Sequence, residues 1–179
     1  ATVCRVGAGL LKCSPRKGMT SMNPPSDIGH EYTTMAKAFF GSHHPLFNSF
    51  GVEIGLVGKG HAEMSMPYAG NLSDRRGALH RGTLVTLLDT ACGLAIFSSL
   101  GSLKPIATID LRVDFLKRIP VGAGLRAVVD CIGRTETVAY ISGRGYADGS
   151  EDPIAMVAAS FAIDTMGPSF DAMRSREPV

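Results

Sequence analysis

Apolar and polar residues follow two different patterns along this chain. Residues 61–67 alternate apolar and polar side chains, which predicts a strand with one buried face. In the segment from about His80 to Leu100, apolar residues cover nearly all of a helical circumference. A helix that is apolar all round is a buried helix, and Gly101 is placed to end it.

Gly and Pro mark the breaks between the remaining elements. In chain order we predict a short helix over 30–41, one further turn at Leu46–Phe50, a hairpin of strands Gly51–Val57 and His61–Pro67, a polar loop over 68–79, the long helix, and strands at Pro105–Lys117, Ala123–Ile132, Glu136–Tyr146 and Ile154–Asp164. Helices do not separate the strands, so a βαβ winding is excluded. We expect an α+β domain with a curved, mostly antiparallel sheet wrapped around one long central helix.

The length of 179 residues allows one domain with a proper core and is too short for two ordinary ones. We place this single domain at 30–165. Residues 1–29 carry no acidic residue before Asp27, and we interpret them as a flexible N-terminal extension, with Met19 or Met22 as an alternative start. Residues 166–179 are expected to be a polar tail.

Composition excludes several classes of partner. The 18 basic residues nearly balance the 16 acidic ones, which does not indicate a nucleic-acid binder. Asp89 interrupts the apolar residues within Leu84–Leu100, so we judge that stretch too short and too polar for a membrane span. The four cysteines form no CxxC and follow no secretory leader, so we expect free thiols in a reducing, cytoplasmic location.

Asp89 is the sharpest candidate for chemistry. It lies inside the apolar helix, where a carboxylate costs several kcal/mol unless it is paired or functional. The structural alternative is a solvated Asp on the one open strip of that helix. The five histidines show no metal-ligand spacing with Cys or acidic residues, so we expect no metal and no cofactor.

His80 and Arg81 stand at the helix start, where free N–H groups can hold an oxyanion. His80 alone is more often a capping or loop histidine. Arg81 and Asp89 are eight residues apart, about 12 Å along a helix axis. One helix therefore cannot bring both to a small substrate, whereas two antiparallel copies can. If both are catalytic, the site lies at a two-fold dimer interface.

Two further sets of residues have a functional and a structural interpretation. Arg75 and Arg76 join Arg81 in a basic cluster that could bind ligand phosphates, or could be a solvated loop. Thr108 could orient a carboxylate or a water, or could be an ordinary sheet residue. Strand alternation places Thr108 on one face together with Asp110, Arg112 and Asp114.

The segments Gly77–Gly82 (GALHRG) and Leu87–Gly93 (LLDTACG) resemble the hotdog-fold acyl-CoA thioesterases of the phenylacetate-degradation (PaaI-like) type. The pattern of that family is G-x-x-H-G-G followed by L-x-D-x-A-x-G. His44-Pro45-Leu46 and the run from Ala107 through Leu116 also match, and the resemblance covers about residues 44–164.

The resemblance implies a hotdog fold, a homodimer with two sites at its interface, often a dimer of dimers, and hydrolysis of an acyl-CoA thioester. Asp89 would be the general base or nucleophile. The backbone N–H of Arg81, helped by Gly82, would polarise the thioester carbonyl, and His80 would assist from the same subunit. Thr108 would lie near the attacking water.

The chain departs from the family pattern in three places. Arg81 replaces the Gly after the His, which preserves the backbone N–H but opposes the helix dipole. Asp74 stands where the family usually has Asn, and an ionised Asp cannot donate a hydrogen bond. Asn71, three residues earlier, could substitute for it through a loop shift. The third departure is the extension over 1–29.

Two alternatives to a thioesterase remain at this point. A hotdog dehydratase or hydratase would need a different motif, such as a His followed by Phe-Pro, which the sequence lacks. A non-catalytic acyl-CoA-binding protein is compatible with Arg81 and Asp74. The sequence leaves open which acyl group is cleaved and whether Asp89 attacks directly or through water.

Overall fold

The structure is a computed structural model that describes residues 45–166. The helix predicted over 30–41, the extension over 1–29 and residues 167–179 of the predicted tail lie outside the described residues. Within them, the helices and strands are α1 (Pro45–Phe50), β1 (Glu53–Gly58), β2 (His61–Met66), a single 3-10 turn (Gly70–Leu72), α2 (Arg81–Leu100), β3 (Ile106–Phe115), β4 (Leu125–Arg134), β5 (Val138–Ala147) and β6 (Pro153–Ile163).

The six strands form one sheet in the order β1-β2-β4-β5-β6-β3, and every neighbouring pair is antiparallel. The sheet curves around α2, so its inner side chains and the helix form the core. The expected α+β class, with an antiparallel sheet wrapped around a long helix, is confirmed. β3 follows α2 in the chain but lies at the edge of the sheet, which leaves one side of β3 without a partner strand among the described residues.

Helix α2 is buried on most of its circumference because its apolar residues face the concave sheet. Leu84 packs directly over Gly145 of β5, where an added Cβ would lie 2.9 Å from the Leu84 side chain. One strip of the helix is only half-buried, and it consists of Val85, Thr86, Asp89, Thr90 and Gly93. The open strip considered for Asp89 therefore exists.

The prediction that the apolar stretch within Leu84–Leu100 is too short and too polar for a membrane span is wrong. By length and composition, Arg81–Leu100 could cross a membrane, since its mean hydropathy reaches 1.6 over an 18-residue window. However, 67% of that window is buried inside the domain, as is typical of the core helix of a globular fold.

The face predicted for Thr108 is also wrong. The register of β3 against β6 shifts between Thr108 and Asp110, which makes Ile109 an extra residue in a β-bulge. A bulge reverses the side-chain alternation of the residues that precede it. Thr108 therefore lies on the helix side of the sheet, opposite to Asp110, Arg112 and Asp114, while Ile109 is 60% exposed.

Close packing within the sheet gives a direct test of the fold. A Cβ at Gly143 of β5 would lie 2.6 Å from the Val128 carbonyl oxygen, a backbone atom that cannot move without disturbing β4. We predict that Gly143→Ala lowers the free energy of unfolding by about 1–3 kcal/mol, measured by urea denaturation. Gly133→Ala is the control because, apart from the adjoining residues of the chain, no atom lies within 4 Å of its Cβ position. Equal stabilities of the two variants would contradict this packing.

Candidate active site

Asp89 is held on the open strip of α2 by a contact with the sheet. It is half-buried, and the Thr108 hydroxyl donates a hydrogen bond to its Oδ1 atom over 3.2 Å. The β-bulge at Ile109 makes this contact possible, because without it Thr108 would face away from the helix. The structure thus brings together the carboxylate and the hydroxyl that the sequence singled out.

The other hydroxyls near Asp89 are engaged within the helix itself. Thr86 donates to the Gly82 carbonyl oxygen over 3.0 Å, and Thr90 donates to the Thr86 carbonyl oxygen over 2.7 Å. Among the described residues, it is therefore the Thr108 hydroxyl that donates to Asp89.

Cys92, one turn beyond Asp89, is a fully buried free thiol. Burial, and then the negative charge of Asp89, raises the pKa of Cys92 to about 12. Because only the thiolate is a strong nucleophile, this cysteine is chemically inert near neutral pH. It belongs to the packing of α2 rather than to its chemistry.

The N-terminus of α2 is capped by the histidine side chain that precedes it. His80 has an extended backbone, and its Nδ1 atom accepts a hydrogen bond from the Gly82 N–H over 3.1 Å. An accepting Nδ1 corresponds to a neutral imidazole with its proton on Nε2. The ring is exposed and can offer that proton to a ligand.

This cap decides which amide is available for an oxyanion. The Gly82 N–H, which was expected to help, is already directed at His80. Arg81 is the first residue of the helix, so its N–H has no carbonyl partner within α2. The Arg81 N–H is therefore the amide of this pair that is left without a partner in the helix, whereas the Gly82 N–H contacts the His80 ring.

The side chain of Arg81 packs against the end of strand β3. Its guanidinium carbon lies 4.8 Å from the centroid of the Phe115 ring at the end of β3, a cation–π contact. The arginine that replaces the family glycine therefore has a defined position at the helix start.

The loop before α2 is organised by Asp74. Its carboxylate accepts hydrogen bonds from the Arg76 guanidinium at 2.6 and 3.0 Å, from the Arg76 N–H at 2.8 Å and from the Ala78 N–H at 3.3 Å. The bonds from the Arg76 side chain, followed by the one from its backbone, hold the pKa of Asp74 below its usual value. Asp74 only accepts hydrogen bonds in this loop, and an ionised carboxylate can do this although it has no proton to donate.

A small cleft of about 130 Å³ lies at the helix start, next to this loop. It is lined by the predicted residues Asp74, Arg76, His80 and Arg81, together with Leu79, Arg118 and Ile119. Asn71 and Arg75 are exposed and do not line it. Arg118 was not among the predicted site residues, and its only signal in the sequence was the basic pair that it forms with Lys117 at the end of a predicted strand.

The candidate residues thus form two groups in one chain. His80, Arg81, Asp74 and Arg76 surround the cleft, whereas Asp89 pairs with Thr108 and does not line it. Because α2 is one continuous helix, the Arg81 amide and Asp89 are separated by about 12 Å along its axis. Within residues 45–166, no cluster of His, Cys, Asp and Glu is arranged to hold a metal ion.

Comparisons with known proteins identify the family to which this chain is similar. A family model described as the thioesterase superfamily matches residues 76–154. A protein of Halobacterium salinarum whose name describes it as an esterase is 33% identical over 130 residues, which is 67% of this chain and 85% of that protein.

Solved structures show the same fold. A thioesterase family protein from Silicibacter pomeroyi is 28% identical, with a TM-score of 0.66 over 74% of this chain and 97% of that one. The Escherichia coli PaaI protein from the phenylacetic acid degradation operon is 18% identical, with a TM-score of 0.67 over 79% of this chain and 98% of that one. At 18% identity the second likeness concerns the fold alone.

The buried position of Cys92 predicts its reactivity. Its raised pKa and lack of exposure should leave it unmodified by iodoacetamide at about pH 8, under conditions that label it completely in urea. Mass spectrometry of the peptide that contains Cys92 measures the modified fraction. Labelling of the folded protein as fast as that of the denatured one would contradict the described packing of α2.

Proposed function

The chain belongs to the thioesterase superfamily, and from this premise we propose that it hydrolyses an acyl-CoA thioester to a free acid and coenzyme A. The observation that supports this proposal best is the pairing of Asp89 with Thr108 on the open strip of a buried helix. A half-buried carboxylate that accepts one hydroxyl donor retains oxygen lone pairs for a water molecule or for a carbonyl carbon.

In the proposed reaction, Asp89 either takes a proton from an attacking water or attacks the carbonyl carbon itself. In the first route a C–O bond forms from the water, the C–S bond breaks, and the proton held by Asp89 passes to the leaving thiolate. In the second route an Asp89 oxygen forms a bond to the carbonyl carbon as the C–S bond breaks, and coenzyme A leaves as the thiolate. Water then hydrolyses the acyl–Asp89 anhydride, which yields the free acid and restores the carboxylate, and the proton released from water passes to the thiolate. Thr108 orients the carboxylate in both routes.

The N-terminus of α2 supplies the positive electrostatic potential that would stabilise the negative charge formed in the reaction. Negative charge develops on the thioester oxygen as the carbonyl carbon is attacked, and a preorganised N–H donor in a helix first turn stabilises it. We assign this role to the Arg81 N–H, with His80 as a second donor through Nε2. Gly82 contributes indirectly, because its N–H holds the His80 ring.

We propose that the complete site forms between two copies of the chain, in a dimer or a dimer of dimers. The 12 Å axial separation on one helix is too long for one thioester group to contact both Arg81 and Asp89. The open strip of α2 and the edge strand β3 lie on the same side of the domain, where Thr108 meets Asp89. A second copy against this side can bring its own helix start to Asp89.

The loop over 71–76 is proposed to contact the coenzyme A part of the substrate. Arg75 and Arg76 are exposed cations that suit phosphate oxygens. Asp74 acts by holding Arg76, and Asn71 offers an exposed amide at the 3-10 turn.

A non-catalytic acyl-CoA-binding protein is the second candidate. It is favoured by Asp74, whose carboxylate is engaged with Arg76 and provides no donor for a substrate carbonyl. Such a protein would bind acyl-CoA without releasing thiol.

The central test is thiol release from a panel of acyl-CoAs by the wild type and by Asp89→Asn. We expect the wild type to hydrolyse at least one thioester and the variant to lose about 100-fold or more in kcat, comparable to removal of a general base. Binding of acyl-CoA without thiol release by the wild type would favour the second candidate. Full activity of Asp89→Asn would contradict the assigned role.

Thr108 has a separate test. Thr108→Val keeps the shape of the side chain but removes the donor to Asp89, and we expect kcat to fall roughly tenfold with little change in KM. Thr108→Ser retains the hydroxyl and should keep most of the activity. Equal losses in the Val and Ser variants would show that packing, rather than the hydrogen bond, matters at this position.

A further inference from the structure

The cleft at the start of α2 is lined by more positively charged residues than negatively charged ones. Arg76, Arg81 and Arg118 all line it, against the single carboxylate of Asp74. That carboxylate is paired with Arg76, and the Arg81 guanidinium lies over Phe115. Arg118 has no carboxylate partner among residues 45–166 in the structure.

The backbone around Arg118 is fixed, although its side chain is exposed. The next residue, Ile119, is buried in the core with 6% exposure. Val121 forms a β-bridge with Ala78, and the Gly122 N–H donates to the Gly77 carbonyl oxygen over 3.0 Å. These contacts join the loop after β3 to the loop before α2, and they hold Arg118 beside Arg76.

Lys117, the residue before Arg118, differs from it in its charged neighbours. Lys117 forms an ion pair with Asp152, and it does not line the cleft. The two adjacent basic residues thus differ in their surroundings: Lys117 is paired with a carboxylate, whereas Arg118 lines the cleft without a carboxylate partner among residues 45–166.

We propose that Arg118, together with the Nη1 group of Arg76 that Asp74 leaves unpaired, binds the phosphate groups of coenzyme A and thereby selects a phosphorylated thioester carrier. A guanidinium group presents its donors in a planar fork that matches phosphate oxygens. Both residues line the cleft and are exposed, so they can contact phosphates while the thioester end of the flexible pantetheine arm extends towards the Arg81 amide. The assignment rests on the proposed function and makes Arg118 a specificity-determining residue of the same site.

The test compares the same acyl group on coenzyme A and on pantetheine, which lacks the diphosphate and the nucleotide. For Arg118→Gln we expect KM for the coenzyme A thioester to rise about tenfold with kcat nearly unchanged, since a binding contact remote from the bond being broken is lost. KM for the pantetheine thioester should stay at the wild-type value. A dephospho-coenzyme A thioester then shows which phosphate is bound, because the effect persists if Arg118 contacts the diphosphate and disappears if it contacts the 3′-phosphate.

Lys117→Gln is the matched control, because it removes one positive charge from the adjacent position. We expect it to leave KM for both thioesters unchanged. The proposal is overturned if Arg118→Gln does not alter KM for the coenzyme A thioester, if it alters both thioesters equally, or if Lys117→Gln has the same effect. The last result would indicate a general effect of net charge.

A binding measurement separates this proposal from the proposed function. If the wild type hydrolyses no thioester, calorimetric titration with free coenzyme A still compares it with Arg118→Gln. Weaker binding by the variant would support the assignment without turnover, whereas equal binding, or no binding by the wild type, would overturn it. Equal melting temperatures of the two proteins verify that the exposed substitution leaves the fold intact.

Discussion

The proposed site depends on one distance, the separation along the axis of α2 between the Arg81 amide and Asp89. A continuous helix places the Arg81 amide and Asp89 about 12 Å apart, and no side-chain rotation shortens the path from that backbone donor. Among residues 45–166 the sheet covers the rest of the helix, so the accessible side of Asp89 is the half-buried strip. These two facts together favour a site in which one chain supplies the carboxylate and another supplies the helix start.

The β-bulge in β3 is the second determinant. An unbroken strand would present Thr108 to the outer face of the sheet, and Asp89 would then lie on the strip without a hydroxyl donor from the sheet. Ile109 is the extra residue of this bulge, and its side chain is exposed. A local irregularity in an edge strand therefore positions the hydroxyl that donates to the carboxylate, while pairing with β6 continues on both sides of it.

Much of the fold was predictable because it depends on local patterns. Period-two stretches, the apolar helix and Gly101 located the hairpin, α2 and the four later strands to within a few residues. The face of Thr108 was not predictable, because a bulge is created by the pairing with β6 and leaves no mark in strand alternation. Arg118 was missed for a similar reason: it meets Arg76 only through contacts between two loops that are distant in the chain.

Mixed dimers test the two-chain site most directly. Asp89→Asn and His80→Ala chains are each expected to have low activity alone. If each site combines Asp89 of one chain with His80 of the other, a mixed dimer contains one intact site. Random assortment of equal amounts should then restore about a quarter of the wild-type activity. If the mixture shows no more activity than the two variants measured separately, both groups act within one chain, which would contradict this account.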